Sequence, residues 1–260
     1  MHITNYYNLN ESYKEFYKFF LFLVSFLLYV DLDLFFTLEM STYLITGSNR
    51  GIGLELCRQI HKRGDNVIAT CRKASKELRD LGVRIEENIE ISSHESITNL
   101  GKKLSGVKLD CLIHNAGIYE FNSFENLDKK SILRQFEVNA LSPICMTQSL
   151  KHFLKRSSKV AFITSRMGSI EDNTSGSSYG YRMSKVALSM AAKSLSIDLS
   201  REDIYVAILH PGLVSTRMTG FTRNGISPEE SANGILKRID SLNKNNSGTF
   251  WHANGEVLPW

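Results

Sequence analysis

The chain has 260 residues, enough for one large α/β domain or two small ones around a sizeable core. A hydrophobic fraction of 42% with 22% charged residues is ordinary globular usage and excludes wholesale disorder. The net charge of +4 is mild and the basic residues are scattered, so nothing in the charge points to nucleic acid.

Residues 1–39 stand apart in composition. An unbroken apolar run from Phe19 to Val30 is halted by Asp31 and Asp33 and resumes over residues 34–38. Its uncharged part is shorter than the roughly 20 residues that a membrane helix needs. A secretory leader also fits badly, because Glu11 and Glu15 cancel Lys14 and Lys18 and no small-x-small cleavage site follows. Three readings stay open: a weak membrane anchor over residues 19–38, an amphipathic or disordered leader, or a stretch upstream of a true start at Met40. The third is preferred, because a complete domain begins directly after Met40. The expected division is an N-terminal extension, 1–39, and one domain, 40–260.

From Thr42 onward, short β-branched runs alternate with helical periodicity. Residues 42–46 read as a buried strand, 52–63 as a helix, 66–71 as a second strand and 74–81 as a short helix. A third strand falls within 83–91 and a helix over 93–104, capped by Ser92 or Ser93. A fourth strand covers 109–114. A long helix or helix pair fills 128–154, with Pro143 marking a start, kink or boundary. A fifth strand covers 159–164, a helix 178–200, and a sixth strand 204–209. Ser227, Pro228, Glu229 and Glu230 form a strong helix start, and residues 248–258 add a last strand. Strict alternation with apolar strands predicts a single Rossmann-type, doubly wound parallel sheet with helices on both faces. The four cysteines, Cys57, Cys71, Cys111 and Cys145, form no Cys-x-x-Cys pair and match no zinc spacing. They read as buried reduced thiols of a cytoplasmic protein. No His/Cys/Asp/Glu cluster points to a metal.

Loop 46–53 follows the first strand and opens a helix, with glycines at 47, 51 and 53. A tight strand-to-helix turn and close approach to a pyrophosphate both call for glycine. The helix N-terminus then offers free N–H groups to phosphate. An NAD site usually ends its second strand with an acid that holds the ribose hydroxyls. Here that strand runs into Arg72 and Lys73, and Arg50 projects from the glycine loop. Both arginines favour the 2′-phosphate of NADP(H). Tyr181 and Lys185 lie one turn apart at the start of a predicted helix, where an ammonium lowers a phenol's pKa and fits it for proton transfer.

The ordered set of motifs resembles the short-chain dehydrogenase/reductase family, classical type, from about Thr42 to the C-terminus. Loop 46–53 matches Thr-Gly-x-x-x-Gly-x-Gly. His114-Asn-Ala-Gly117 matches Asn-Asn-Ala-Gly, with His in the first place. Glu137-Val-Asn139 matches the helix asparagine, Ile163-Thr-Ser165 with Gly168-Ser169 the serine stretch, and Tyr181 with Lys185 the Tyr-x-x-x-Lys pair. Pro211-Gly212 with Thr216 matches Pro-Gly-x-x-x-Thr. Within the family, residues 68–72, 179–185 and 254–260 look closest to C-factor/sniffer-like carbonyl reductases.

The resemblance implies roles. Tyr181 exchanges the proton at the substrate oxygen, Ser165 hydrogen-bonds that oxygen, Lys185 holds the nicotinamide ribose and tunes Tyr181, and Asn139 anchors a water that relays protons to Lys185. Gly47, Ser48, Asn49, Arg50, Gly51, Ile52, Gly53 and Arg72 hold the phosphate-bearing end of the cofactor. Asn115, Ala116 and Gly117 lie beside the adenine ribose, and Glu90 stands where the family has an Asp near the adenine. Pro211, Gly212, Val214 and Thr216 line the nicotinamide side. The expected protein is an NADP(H)-dependent reductase of a small carbonyl compound, without metal, acting as a homodimer or homotetramer. The alternative is a C-factor-like signalling or dinucleotide-binding protein with little turnover. His114 is expected as a packed strand-end residue. The short stretch between Pro211 and Pro228 is expected as the substrate lid.

Overall fold

The computed structural model describes residues 11–34 and 40–260, with side chains described for 14–25 and from 40 onward. The chain forms two units, Met1–Met40 and Ser41–Trp260. In the first, α1 (Glu11–Leu34) exposes Phe16, Tyr17, Phe19, Phe20, Leu21, Phe22 and Leu23, and Lys18 pairs with Glu15 at 2.9 Å. Among the described residues no helix is long and apolar enough to cross a membrane. Residues 35–38 of the apolar stretch lie outside the described residues.

The second unit begins with β1 (Thr42–Thr46), α2 (Gly51–Lys62), β2 (Asn66–Thr70), α3 (Lys76–Arg79) and β3 (Arg84–Glu86). Then come α4 (His94–Lys103), β4 (Leu109–His114) and α5 (Lys129–Phe136), a π-helical turn at Glu137–Leu141, and α6 (Ser142–Leu150). The rest is β5 (Leu154–Ile163), α7 (Tyr179–Asp198), β6 (Tyr205–His210), α8 (Pro228–Asp240) and β7 (Phe250–His252). The seven strands form one sheet in the order β3-β2-β1-β4-β5-β6-β7, with every neighbouring pair parallel.

Alternate strand residues feed two separate cores, as the two-residue period of a strand requires. Leu44, Leu112, Val160, Phe162, Val206 and Ile208 meet Ile97 and Leu100 of α4, Met146 of α6 and Leu188 of α7. Ile45, Ala69, Ile113, Ala161 and Leu209 face the other way, onto Leu56 and Ile60 of α2 and Ile235 and Ile239 of α8. Strands buried on both faces need apolar residues throughout, which is why they read as unbroken runs. The strand order reverses between β1 and β4, so their C-terminal ends diverge and leave a crevice there.

Helix starts follow the capping residues. The hydroxyls of Ser93 and Ser227 accept the N–H of Ser96 and Glu230 at 3.2 and 3.0 Å, each worth about 1 kcal/mol. The predicted helical region 128–154 is not continuous. Pro143 has no N–H to give the carbonyl of Asn139, four residues earlier. The chain widens into the π turn, in which Ser142 N–H donates to the Glu137 carbonyl. The fifth strand starts at Leu154 rather than 159, because the polar stretch that hides it is pinned by Ser158, whose hydroxyl donates to Leu109 O at 2.7 Å. The third strand is only three residues long. Cys57, Cys71 and Cys111 are buried free thiols, whereas Cys145 is exposed on α6, contrary to expectation.

Candidate active site

The crevice between β1 and β4 is built from backbone. Gly47 and Gly51 take φ of +68° and +56°, the left-handed region that glycine enters without penalty. A Cβ on Gly47 would lie 2.8 Å from Ala116 Cα, and one on Gly53 would lie 2.3 Å from Gly47 O and 2.5 Å from Asn115 Nδ2. The two loops therefore interlock only through glycines. Asn115 ties them, donating to Thr46 O at 3.0 Å and Gly47 O at 3.2 Å. The Thr46 hydroxyl accepts the N–H groups of Asn115 and Ala116 at 3.0 and 3.1 Å. Thr46 is a contributor that the sequence alone left without a role, although it opens the glycine motif.

Helix α2 starts in this crevice. Its cap residue, Arg50, is extended and gives no side-chain cap, so the first N–H groups at Gly51, Ile52 and Gly53 stay available to an anion. Arg50 itself is exposed. Ser48 points inward instead: its N–H donates to Thr70 O at 3.2 Å and its hydroxyl to Ile45 O at 2.8 Å. The Asn49 side chain accepts the N–H of Ser75. Arg72 is exposed beyond β2 and meets Glu90 at 3.7 Å, while Glu90 also accepts the Ser92 hydroxyl at 3.2 Å. Thus Arg72 and Glu90 share one corner of the crevice. The donor set fits a dinucleotide: free helix amides for a pyrophosphate and two exposed arginines for a further phosphate.

The opposite end of the crevice holds Tyr181 and Lys185. Tyr181 and Lys185 share a face of α7, with Lys185 Nζ 5.7 Å from the Tyr181 ring centroid. Lys185 is buried and donates to Ile163 O at 2.9 Å. Burial brings its pKa down to about 8. Tyr181 goes the other way, up to about 12: burial raises it, a hydrogen bond with Ser165 lowers it, and Tyr119 raises it. Lys185 does not bring the phenol down as expected: burial is the largest influence on Tyr181, and Ser165 and Tyr119 are the neighbours that shift it. The Ser165 hydroxyl also accepts Met167 N–H at 3.1 Å. Gly168 lets this loop press on α7, since a Cβ there would sit 2.8 Å from the Lys185 carbonyl carbon.

Asn139 stands on the π turn, fully buried. Its side chain accepts Ile118 N–H at 2.8 Å and donates to Ile118 O at 2.8 Å and Ser184 Oγ at 3.0 Å. The side chain is thus committed to protein partners, and Pro143 leaves the Asn139 carbonyl without its ordinary helical donor. A Cβ on Gly117 would lie 3.2 Å from Asn139 Oδ1 and 3.6 Å from Lys185 Nζ, which places these three residues together. On the far side, Gly212 has φ +90°, and Pro211 O accepts the Ser231 hydroxyl at 2.7 Å. Val214 is buried and bridges to Ile226. The side chain of Thr216 approaches the glycine loop, its Cγ2 lying 3.4 Å from where a Cβ on Gly51 would be.

His114 is a packed residue: it bonds Thr147 Oγ1 at 2.8 Å and stacks on Phe162 at 4.9 Å. Tyr119, which no sequence motif singles out, meets Tyr181 edge-on at 5.0 Å and bonds Ser178 Oγ at 3.1 Å. Among the described residues no group of His, Cys, Asp and Glu could hold a metal.

Residues 41–226 match the family model described as short chain dehydrogenase. The 1-hydroxy-2-glutathionyl-2-methyl-3-butene dehydrogenase of Rhodococcus sp. (strain AD45) is 39% identical over 226 residues, 85% of this chain and 100% of that protein. The carbonyl reductase Sniffer of D. melanogaster superposes with a TM-score of 0.80 at 29% identity, over 85% of this chain and 100% of that one. The NADPH-bound carbonyl reductase from chicken fatty liver gives 0.78 at 29% identity, over 86% and 100%. Motif order, sheet order and these likenesses agree, and the chain belongs to the short-chain dehydrogenase family.

Proposed function

We propose that the unit Ser41–Trp260 is an NADP(H)-dependent oxidoreductase that reduces a small carbonyl compound, with Tyr181 as proton donor. The observation that carries this is the meeting of Tyr181, Ser165 and buried Lys185 at the end of a crevice whose other end offers free helix amides and two arginines. A chicken liver carbonyl reductase of the same fold holds NADPH, and the Rhodococcus relative is named for oxidising an alcohol, the same chemistry in reverse. When bound, NADPH supplies the hydride to the carbonyl carbon.

The chain's own residues do the rest. The Tyr181 phenol keeps its proton at neutral pH and, beside Ser165, stands where it can give that proton to the oxygen that gains charge. Ser165 donates a hydrogen bond to the same oxygen. The Lys185 ammonium stands close enough to stabilise the phenolate left behind. Asn139 fixes the loop at Ile118 and offers its carbonyl to a water that reprotonates the pair. Gly47, Gly51, Gly53, Asn115, Ala116, Gly117, Pro211, Gly212, Val214 and Thr216 form the cofactor's walls, with Arg50 and Arg72 at the 2′-phosphate and Glu90 beside the adenine.

The four free thiols suit a reducing, cytoplasmic setting. Helices α5 and α7 expose Leu133, Phe136, Met183, Met190 and Ile197, and we assign these residues to contact with a second copy of the chain.

NADPH oxidation with a panel of aldehydes, ketones and quinones tests the reading. Tyr181→Phe keeps the ring and loses the proton, so the rate should fall about 10²–10⁴-fold. Equal turnover by the variant would sink the assignment, and failure to bind NADPH would sink the cofactor.

A further inference from the structure

Helix α7 begins awkwardly for a helix that carries a proton donor in its first turn. Ser177 and Ser178 are both left-handed, each with φ 52°, and Ser178 caps nothing with its side chain. The first N–H groups of α7 need partners from elsewhere. They come from the loop after β4. Asn122 accepts Gly180 N–H on Oδ1 at 3.0 Å, and its carbonyl accepts Ser178 N–H at 2.7 Å. Asn122 is itself buried, and its Nδ2 reaches Ser131 Oγ at 3.4 Å.

The same loop is held from behind by Gln135. Its Oε1 accepts Glu120 N–H at 3.0 Å, and its Nε2 donates to Glu120 O at 3.1 Å and Ser131 Oγ at 3.3 Å. Asn139, one turn further on, grips Ile118 in the same two-way fashion at 2.8 Å on each side. Two buried amides one turn apart thus bind two residues of an extended segment two apart, as a neighbouring strand would. The Cα of Gly180 is wedged into this assembly: a Cβ there would lie 2.6 Å from Gln135 Nε2 and 3.0 Å from Asn122 Oδ1. Tyr119, on the same loop, closes on the Tyr181 ring at 5.0 Å.

We propose that Asn122 and Gln135 are positioning residues for Tyr181. Gln135 fixes the loop, Asn122 caps α7 from that loop, and Gly180 lets the two surfaces meet closely enough to set the height of the phenol over the crevice. The proposal rests on the reductase reading above for its kinetic readout. Both amides are taken up by protein partners and act through the first turn of α7.

The experiment compares wild type with Asn122→Ala, Asn122→Asp and Gly180→Ala. It measures kcat, KM, NADPH affinity by fluorescence, melting temperature and the ultraviolet titration of Tyr181, taken as a difference against Tyr181→Phe. A displacement of the order of 1 Å at a reacting group lowers a rate up to about 10²-fold. Asn122→Ala should therefore lower kcat at least about tenfold while NADPH affinity stays within about twofold. Its Tyr181 titration should move down from the wild-type position, because the burial that raises the phenol depends on how the first turn of α7 is seated. Asn122→Asp should recover most of kcat, since a carboxylate also accepts the Gly180 N–H and suits a helix N-terminus.

A lower melting temperature with unchanged kcat and titration in Asn122→Ala would make the clamp merely structural and overturn the proposal. So would an aspartate variant as impaired as the alanine one, or a loss confined to NADPH affinity. Should Asn122→Ala not fold, Gly180→Ala decides the matter instead, since it keeps the acceptor and pushes the surfaces apart; unchanged kcat there overturns the proposal. The absolute wild-type rate reports on the reductase reading. The ratio of variant to wild type and the phenol titration, which needs no turnover, report on the clamp.

Discussion

His114 ends β4 with its ring stacked on Phe162 and bonded to Thr147, away from water. Burial pushes its pKa down to about 3, and His210 at the end of β6 is pushed to about 3 by burial and the neighbouring His252. Unfolded, either ring takes up a proton near about 6.5. Between those values unfolding binds protons, so stability is full above about 6.5 and falls as the pH drops toward 3. Asn at 114, the family's own residue, removes one of the two groups. The urea midpoint of His114→Asn should fall less steeply than wild type from about pH 7 to about pH 4. Equal slopes would show that His114 is not held neutral. At the same scale, the tyrosine–lysine pair was legible from its spacing, but its electrostatics was not. Spacing shows that the two side chains share a face; only the packed structure shows that Lys185 is buried and donates to Ile163.

The turn from β1 into α2 shows what a motif does reveal. Glycines at 47, 51 and 53 were readable as a tight strand-to-helix turn, and the backbone there has the left-handed angles and close approaches that require them. Gly53→Ala should put a methyl against the Gly47 carbonyl and the Asn115 amide, breaking the tie between the two loops. NADPH affinity should drop about tenfold, equivalent to about 1.4 kcal/mol. An alanine variant binding as well as wild type would mean that the interlock is not needed. Elements defined by local pattern, such as β1, β4, α4 and α8, were legible because periodicity and capping act within a few residues. The region 128–154 was legible only as helical: the π turn follows from Pro143, yet its width depends on what Asn139 and Ser142 bind. Asn122 and Gln135 were not legible at all, because their partners lie on other elements and an amide in a loop or helix ordinarily meets water.

Across the whole molecule, Met183, Met190 and Ile197 recur every seventh residue along α7 and are 51%, 66% and 60% exposed, a stripe that water does not favour. With Met190→Lys and Ile197→Lys together, light scattering should give the monomer mass where wild type gives a multiple of it. Monomeric wild type, or an unchanged mass in the double variant, would contradict assembly through this face. The sheet order carries a different consequence. Since β1 and β4 are neighbours although β2 and β3 separate them in the chain, the crevice does not exist in any local fragment. It forms only when long parallel crossovers have closed, the slow kind of contact in folding. Partly folded forms would therefore be blind to the dinucleotide, and the cofactor would act as a selective ligand of the finished state. At a free concentration of about 100 times its dissociation constant it would add about 2.7 kcal/mol to stability. In a cell, the fraction of this enzyme that stays folded would then follow the nicotinamide pool.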